Sequence, residues 1–145
     1  MGLQPADEAF IAALAGQLPE QTLRPAEPRY LEEPRGYLQG KAGCVALPRN
    51  THEVSIIMAA ANAARVAVVP FGGGTGLVGG QIYSDGPVPL VLSLERMNRV
   101  LAVDPRENII IAQAGAILAR ARADAVPIAD LINRRRLSAI GFSIA

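Results

Sequence analysis

Residues 68–81, VVPFGGGTGLVGGQ, place six glycines in fourteen positions directly after an apolar run. Glycine costs backbone entropy and removes a side chain from packing, so a cluster this dense marks positive φ angles or a ligand lying against the main chain. A tight connector needs fewer glycines than this. The chemistry such a loop can do is anion binding through backbone N–H groups, with Thr75 adding a hydroxyl donor. Other chemistry-bearing side chains are sparse. His52, the single histidine, stands in the first turn of a predicted helix and reads as a solvated surface residue. Cys44, the single cysteine, lies in an apolar stretch and reads as a small core residue. Arg96, Asn98 and Arg99 read as structural rather than phosphate-binding, and Tyr30 and Tyr37 as packing the segment that carries them.

Three modes of phosphate binding compete for the loop. The P-loop pattern needs a lysine and a hydroxyl after its last glycine, and here Gly79 is followed by Gly80 and Gln81. The dinucleotide fingerprint G-x-G-x-x-G is matched from Gly74 to Gly79 and follows a strand, with Glu95 and Asp104 as the acids it would need for a ribose. That fingerprint works by opening a helix toward the pyrophosphate. Gly80 and the run Asp85-Gly86-Pro87-Val88-Pro89 cannot sustain one, so the nicotinamide Rossmann reading is the weaker alternative. The third mode is a nest of successive N–H groups that needs no helix dipole, and a diphosphate fits it. Bulky residues at Gly73 or Gly74 are expected to abolish binding by blocking the anion and excluding positive φ.

The elements that must hold this loop are legible from pattern. Phe10, Ile11, Leu14 and Leu18 share one face of a helix predicted over 6–18. From Pro19 to Gly40, prolines among charges predict an extended connector. Residues 42–47 predict a strand. Asn50 with Glu53 forms a capping-box pattern that starts a helix from Thr51 to Ala64. Residues 66–70 predict a buried strand that delivers the loop, 90–94 another, and Val100 to Val103 and Asn108 to Ala112 two more around the turn-forming Asp104-Pro105. A helix over AGAILARARADA follows. The order is α+β rather than the strict alternation of a doubly wound sheet.

Composition bounds the remaining choices. The chain has 145 residues, 50% hydrophobic and 19% charged, enough to bury a core without disulfides. A net charge of +1 argues against a nucleic-acid partner. The N-terminus has no basic region ahead of its apolar stretch, no run reaches transmembrane length, and a lone cysteine suits a reducing compartment. A cytoplasmic location is the expectation.

The run Pro70-Phe71-Gly72-Gly73-Gly74-Thr75-Gly76-Leu77-Val78-Gly79-Gly80 resembles the diphosphate loop of the FAD-binding domain shared by the vanillyl-alcohol oxidase and p-cresol methylhydroxylase (PCMH-type) superfamily. The similarity is greatest to its D-2-hydroxyacid branch, which includes D-2-hydroxyglutarate dehydrogenase, cytochrome-linked D-lactate dehydrogenase and the FAD subunit of glycolate oxidase. Val45-Ala46-Leu47-Pro48 with Glu53-Val54 resembles the family's first strand and helix start. Leu94-Glu95-Arg96-Met97-Asn98-Arg99-Val100 and Ala114-Gly115 resemble two later landmarks, in the same order. The resemblance implies FAD as cofactor. It makes Pro70, Phe71, Gly72, Gly73, Gly74, Thr75, Gly76, Leu77, Gly79 and Gly80 the cofactor-binding residues. Members that hold flavin covalently carry a histidine near Thr75, so threonine there implies non-covalent FAD. The implied activity is oxidation of a small D-2-hydroxy acid by hydride transfer to flavin.

The resemblance runs from about Tyr30 to Ala125 and divides the chain into a helix and connector (1–40), the first part of a PCMH-type domain, truncated (41–125), and a tail outside the family pattern (126–145). In another frame, the codons allowed for Arg134 to Phe142 can spell a sequence close to the family's. A frameshift between about Ala121 and Asn133 is therefore the expectation, and an intact in-frame continuation at the locus overturns it. No catalytic base or substrate clamp can be assigned within this chain. Alone it is expected to be inactive, as the flavin-binding part of an oxidoreductase, as half of a split enzyme completed by a separate chain, or as a non-enzymatic nucleotide-binding remnant.

Overall fold

The computed structural model describes residues 2–104, 107 and 109–119. They fall in two compact units, Met1–Met97 and Asn98–Ala145. The first unit holds helix α1 (Glu8–Ala15), strand β1 (Leu23–Arg24), a 3-10 turn (Pro28–Tyr30), β2 (Cys44–Ala46), α2 (Thr51–Ala64), β3 (Val68–Phe71) and β4 (Leu90–Ser93). Its sheet has the order β1-β2-β4-β3. β4 lies between β2 and β3 and is parallel to both, whereas β1 runs antiparallel to β2. The mixed helix and strand content agrees with the α+β reading.

Capping chemistry sets both helix starts. Asp7 accepts from the Phe10 N–H at 2.9 Å and begins α1. Asn50 Oδ1 accepts from the Glu53 N–H at 2.9 Å, and the Glu53 carboxylate returns the favour, accepting from the Asn50 amide and the Arg49 N–H, each at 2.8 Å. This satisfies donors that α2 would otherwise leave orphaned. Arg65, at φ 58°, closes α2 in the left-handed region. Predicted and observed bounds coincide for α2, whereas α1 is shorter than 6–18 at both ends, with Gly16 as its C-cap.

Both faces of the sheet are covered, which is why β2 and β4 read as continuous apolar runs rather than alternating ones. Cys44, Ala46, Leu90 and Leu92 pack with Leu14, Ile57 and Ala61 beneath the two helices. Val45, Leu47, Val69, Phe71 and Val91 face the other way, onto Tyr30. Burying side chains such as Ile57 and Leu90 completely contributes about 1.5–3 kcal/mol each. Pro70 fits inside β3 because, among the described strands, β3 stands at the edge of the sheet and pairs on one side only.

The connector differs from its predicted form. It is not simply extended: Leu23 and Arg24 add an edge strand to β2, and Tyr30 is buried in the core. Tyr37, expected to pack, is 78% exposed instead. Only tertiary contact distinguishes the two tyrosines, since both stand among prolines and charges.

In the second unit, β5 (Val100–Asp104) pairs antiparallel with β6 (Ile109–Ala112), with a register shift between Val100 and Ala102. Asp104 accepts from the Glu107 N–H at 3.2 Å, the Asx-type contact expected of a turn. Gln113 Oε1 accepts from both the N–H and the Nε of Arg99, so Arg99 is a structural residue. Pro105, the second half (120–125) of the helix predicted from Ala114, and the 126–145 tail with its frameshift expectation lie outside the described residues.

Cys44 is 3% exposed, and burial pushes its thiol up to about 11. The thiolate is the reactive form, so at neutral pH an aromatic disulfide reagent is expected to label the native chain about 100-fold more slowly than the denatured chain. Equal labelling rates would remove Cys44 from the core.

Candidate functional site

The carboxyl ends of the parallel strands lie side by side, with Phe71 of β3 in register with Ser93 of β4. In open parallel sheets this is the edge where ligands bind. The chain leaves β3 at Phe71 and returns to β4 at Leu90, so residues 72–89 make a parallel crossover that contains no helix. The helix that a dinucleotide fingerprint requires is absent among these described residues. Glu95, an acid that reading would need, is engaged elsewhere: it accepts from Arg29 and the Tyr30 hydroxyl, each at 3.1 Å.

The loop rests on Phe71. This ring is buried, meets the Tyr30 ring edge-on at 5.0 Å between centroids, and lies directly beneath Gly74. A Cβ on Gly74 would stand 2.7 Å from Phe71 Cζ, and Gly74 has φ +72°. Gly79, at φ +74°, is similarly closed by Leu38 Cδ1 at 2.7 Å. At Gly76 a Cβ would meet Gln81 Oε1 at 3.1 Å. Positive φ accounts for Gly74 and Gly79, and at Gly76 a Cβ would crowd the Gln81 amide.

Gly72, Gly73 and Gly80 are different. A Cβ at Gly72 or Gly80 meets nothing within 4 Å, and one at Gly73 meets only Thr75 Cγ2 at 4.0 Å. None of the three has a positive φ. The expectation that Gly73 needs positive φ is thus corrected, and positive φ belongs to Gly74. Among the described residues, nothing packs so as to require bare backbone at these three positions. Thr75 and Leu77 are exposed beside them, as is Pro70 at the strand end.

Hydrogen bonding gives the loop a polarity. Among the described residues, no backbone N–H from Gly72 to Gly80 donates to a protein acceptor. Four of its carbonyls are taken. Gln81 Nε2 donates to Gly74 O at 2.8 Å and Gly76 O at 3.4 Å, Arg35 Nη2 to Leu77 O at 2.7 Å, and the Ile82 N–H to Gly79 O at 2.9 Å. Unclaimed donors beside held acceptors at Gly74, Gly76, Leu77 and Gly79 are what an anion requires. The open space beside Gly72, Gly73 and Gly80 is what a diphosphate would fill, so the residues present fit that group.

Sequence reasoning missed Gln81, Arg35 and Glu33. Glu33 is 2% exposed and accepts from Arg35 Nε at 2.6 Å and from the N–H groups of Arg35 and Tyr37 at 3.2 and 3.3 Å. The signal was Glu33-Pro34-Arg35-Gly36, a turn signature closed by Gly36 N–H to Glu33 O at 2.7 Å with Gly36 at φ +74°. Burial works to raise the Glu33 carboxyl, but the bond from Arg35 and those two N–H groups outweigh it and hold it below the ordinary carboxylate value. A depressed folded-state value means Glu33 stabilises the fold above the unfolded carboxylate pKa and ceases to do so as pH falls through the lower folded one. The thermal midpoints of wild type and Glu33→Gln should therefore converge on acidification. A gap unchanged with pH would contradict that assignment.

His52 is exposed, as expected. Arg96 Nη1 donates to Gln21 O at 3.0 Å and Leu47 O at 3.4 Å, tying connector to sheet. Neither belongs to the loop's surroundings. No group of three or more potential metal ligands occurs among the described residues.

Known proteins share both the sequence and the shape. The chain is 39% identical over 82 residues to the mitochondrial D-2-hydroxyglutarate dehydrogenase of Arabidopsis thaliana, covering 55% of this chain and 14% of that protein. It is 46% identical over 71 residues to the D-2-hydroxyglutarate dehydrogenase of Xanthomonas citri pv. viticola, covering 49% and 15%. Against the glycolate oxidase subunit GlcD of Bacillus subtilis it is 38% identical over 79 residues, covering 54% and 16%. The matched part thus spans about one seventh of these relatives' length. Among solved structures, alkyldihydroxyacetonephosphate synthase superposes with a TM-score of 0.68 at 21% identity, over 88% of this chain and 25% of that one. The glucose dehydrogenase Phl p 4.0202 superposes with a TM-score of 0.70 at 17% identity, over 83% and 26%. These similarities to solved structures establish the fold. The profile of the family described as "FAD binding domain" matches residues 42–128, a span that contains the glycine loop, the strands that carry it and α2. The chain belongs to the FAD binding domain family.

Proposed function

We propose that the glycine loop is the diphosphate cradle of FAD, and that this chain supplies the cofactor-binding part of an oxidoreductase acting on small D-2-hydroxy acids. The observation that carries the reading is the loop's polarity: unclaimed N–H groups from Gly72 to Gly80 beside carbonyls held by Gln81, Arg35 and Ile82. Pro70 and Phe71 launch the loop, Gly72, Gly73 and Gly80 leave room for the phosphates, Gly74, Gly76 and Gly79 let the backbone pass its supports, and Thr75 adds a hydroxyl. Each charge-assisted bond of this kind contributes about 1.5–3 kcal/mol. Bound flavin supplies the two-electron redox chemistry of hydroxy-acid oxidation. The substrate class rests on relatives named D-2-hydroxyglutarate dehydrogenase and glycolate oxidase, and no catalytic residue is assigned here. The domain division at 41–125 and a cytoplasmic location are proposals from the sequence alone, and several relatives are named mitochondrial.

Titration of the purified chain with FAD, followed by absorbance and flavin fluorescence, tests the reading. The expected result is a yellow complex that releases all its flavin on denaturation, because threonine at 75 offers no histidine for covalent attachment. Thr75→Ala should weaken binding about fivefold, the worth of one neutral hydrogen bond of about 1 kcal/mol. A chain that folds and takes up no FAD would overturn the proposal.

A further inference from the structure

We infer that Gln81 and Arg35 are positioning residues that set the direction of peptide dipoles in the middle of the loop, holding the Gly74, Gly76 and Leu77 carbonyls aside so that the neighbouring N–H groups face an anion. The inference rests on the reading of the loop as a diphosphate cradle and goes beyond it by assigning two residues outside the glycine run.

The physical problem is one of choice. A loop has as many carbonyls as N–H groups, and glycine imposes almost no preference on which way each peptide faces. A carbonyl turned toward a phosphate repels it. A glycine cluster alone therefore supplies adaptable backbone but no fixed polarity, and something outside it must hold the acceptors. The structure shows what does so. The Gln81 amide spans Gly74 O and Gly76 O at 2.8 and 3.4 Å, with its own oxygen 3.1 Å from where a Gly76 Cβ would stand. Arg35 takes Leu77 O at 2.7 Å.

Arg35 is an aimed donor rather than a mobile surface cation. Its Nε is bound at 2.6 Å to Glu33, whose carboxylate is buried, and this leaves the other branch of the fork directed at the loop. Leu38, from the same turn, packs against Gly79. The two supports approach the loop from different parts of the chain, Arg35 from the connector and Gln81 from the residue that follows the glycines.

The test uses the full chain with Gln81→Met, which removes the donor without adding charge, and Arg35→Lys, which keeps the charge but not the fork. FAD affinity is measured by fluorescence titration, the bound diphosphate by phosphorus NMR, and the free loop by chymotrypsin cleavage after Leu77. Each variant is expected to bind FAD at least about tenfold more weakly, a loss on the scale of one hydrogen bond to a charged system. The phosphorus resonances of bound FAD should move from their wild-type positions and cleavage after Leu77 should be faster; the thermal midpoint should hold in Gln81→Met and fall in Arg35→Lys, which also loses the Nε bond to buried Glu33. Gly43→Ala, which strains the fold far from the loop, should lower the midpoint and leave the phosphorus resonances in place. Variants that match wild type in affinity and resonances overturn this inference while leaving the cradle reading intact. A wild-type chain that binds no FAD overturns the cradle reading, and unchanged cleavage after Leu77 in the variants then overturns the positioning role as well.

Discussion

Gly73→Val is expected to abolish FAD binding while leaving the thermal midpoint where it is, and Gly74→Val to lose both binding and stability. The two neighbours differ in what lies beside them. Gly73 has ordinary φ, and an added side chain meets nothing closer than Thr75 Cγ2 at 4.0 Å, so the folded chain accepts it. The added methyls then occupy the space a phosphate needs, and loss of two such contacts corresponds to at least about 100-fold in affinity. Gly74 stands at φ +72° with the Phe71 ring 2.7 Å from its missing Cβ, so a branched side chain there is strained and displaces the ring that supports the loop. FAD titration and thermal denaturation of the two variants separate the effects. Full FAD affinity in Gly73→Val would remove the loop from the proposal.

Gly43→Ala is expected to cost about 3 kcal/mol of stability, the upper part of the range for forcing atoms into a packed interior. Its Cβ would fall 2.1 Å from the Ala6 carbonyl oxygen, a backbone atom that no side-chain rotation can clear. The same place carries the Gly43 N–H to Pro89 O bond at 2.9 Å and the Ala6 N–H to Val88 O bond at 2.7 Å. Moving either strand to admit a methyl group strains both bonds. Gly72→Ala, with nothing within 4 Å, is the control that should leave stability unchanged. Chemical denaturation of the two variants checks the comparison, and equal stability would mean that the segment before α1 does not cross the sheet at Gly43.

Local chemistry was legible wherever the interaction closed within a few residues. The Asn50 and Glu53 pattern located α2 because the cap and its partner are three positions apart and bond to each other. The glycine cluster announced a backbone-binding loop for the same reason, since the absence of side chains is itself local. The connector was misjudged at Tyr37 and at β1 because burial there depends on partners far along the chain: Tyr30 packs on Phe71, and Leu23 pairs with Ala46.

Gln81, Arg35 and Glu33 mark the same boundary within the site. Arg35 stands 42 positions from the carbonyl it holds, and nothing in its neighbourhood of prolines and charges points to the loop. Nor does sequence distinguish Gly73 from Gly74, adjacent and chemically identical, although Gly74 is bare for the sake of Phe71 and Gly73 meets only Thr75 Cγ2 among the described residues. The sequence by itself determined the family, the helix α2, the apolar strands and the place of the loop, because periodicity, capping and motif spacing are properties of neighbouring residues. Which glycines face a ligand, and which donors hold the loop's carbonyls aside to leave its N–H groups available, only the tertiary structure decided, because hydrogen-bond polarity in a glycine loop is imposed by side chains that the fold brings to it.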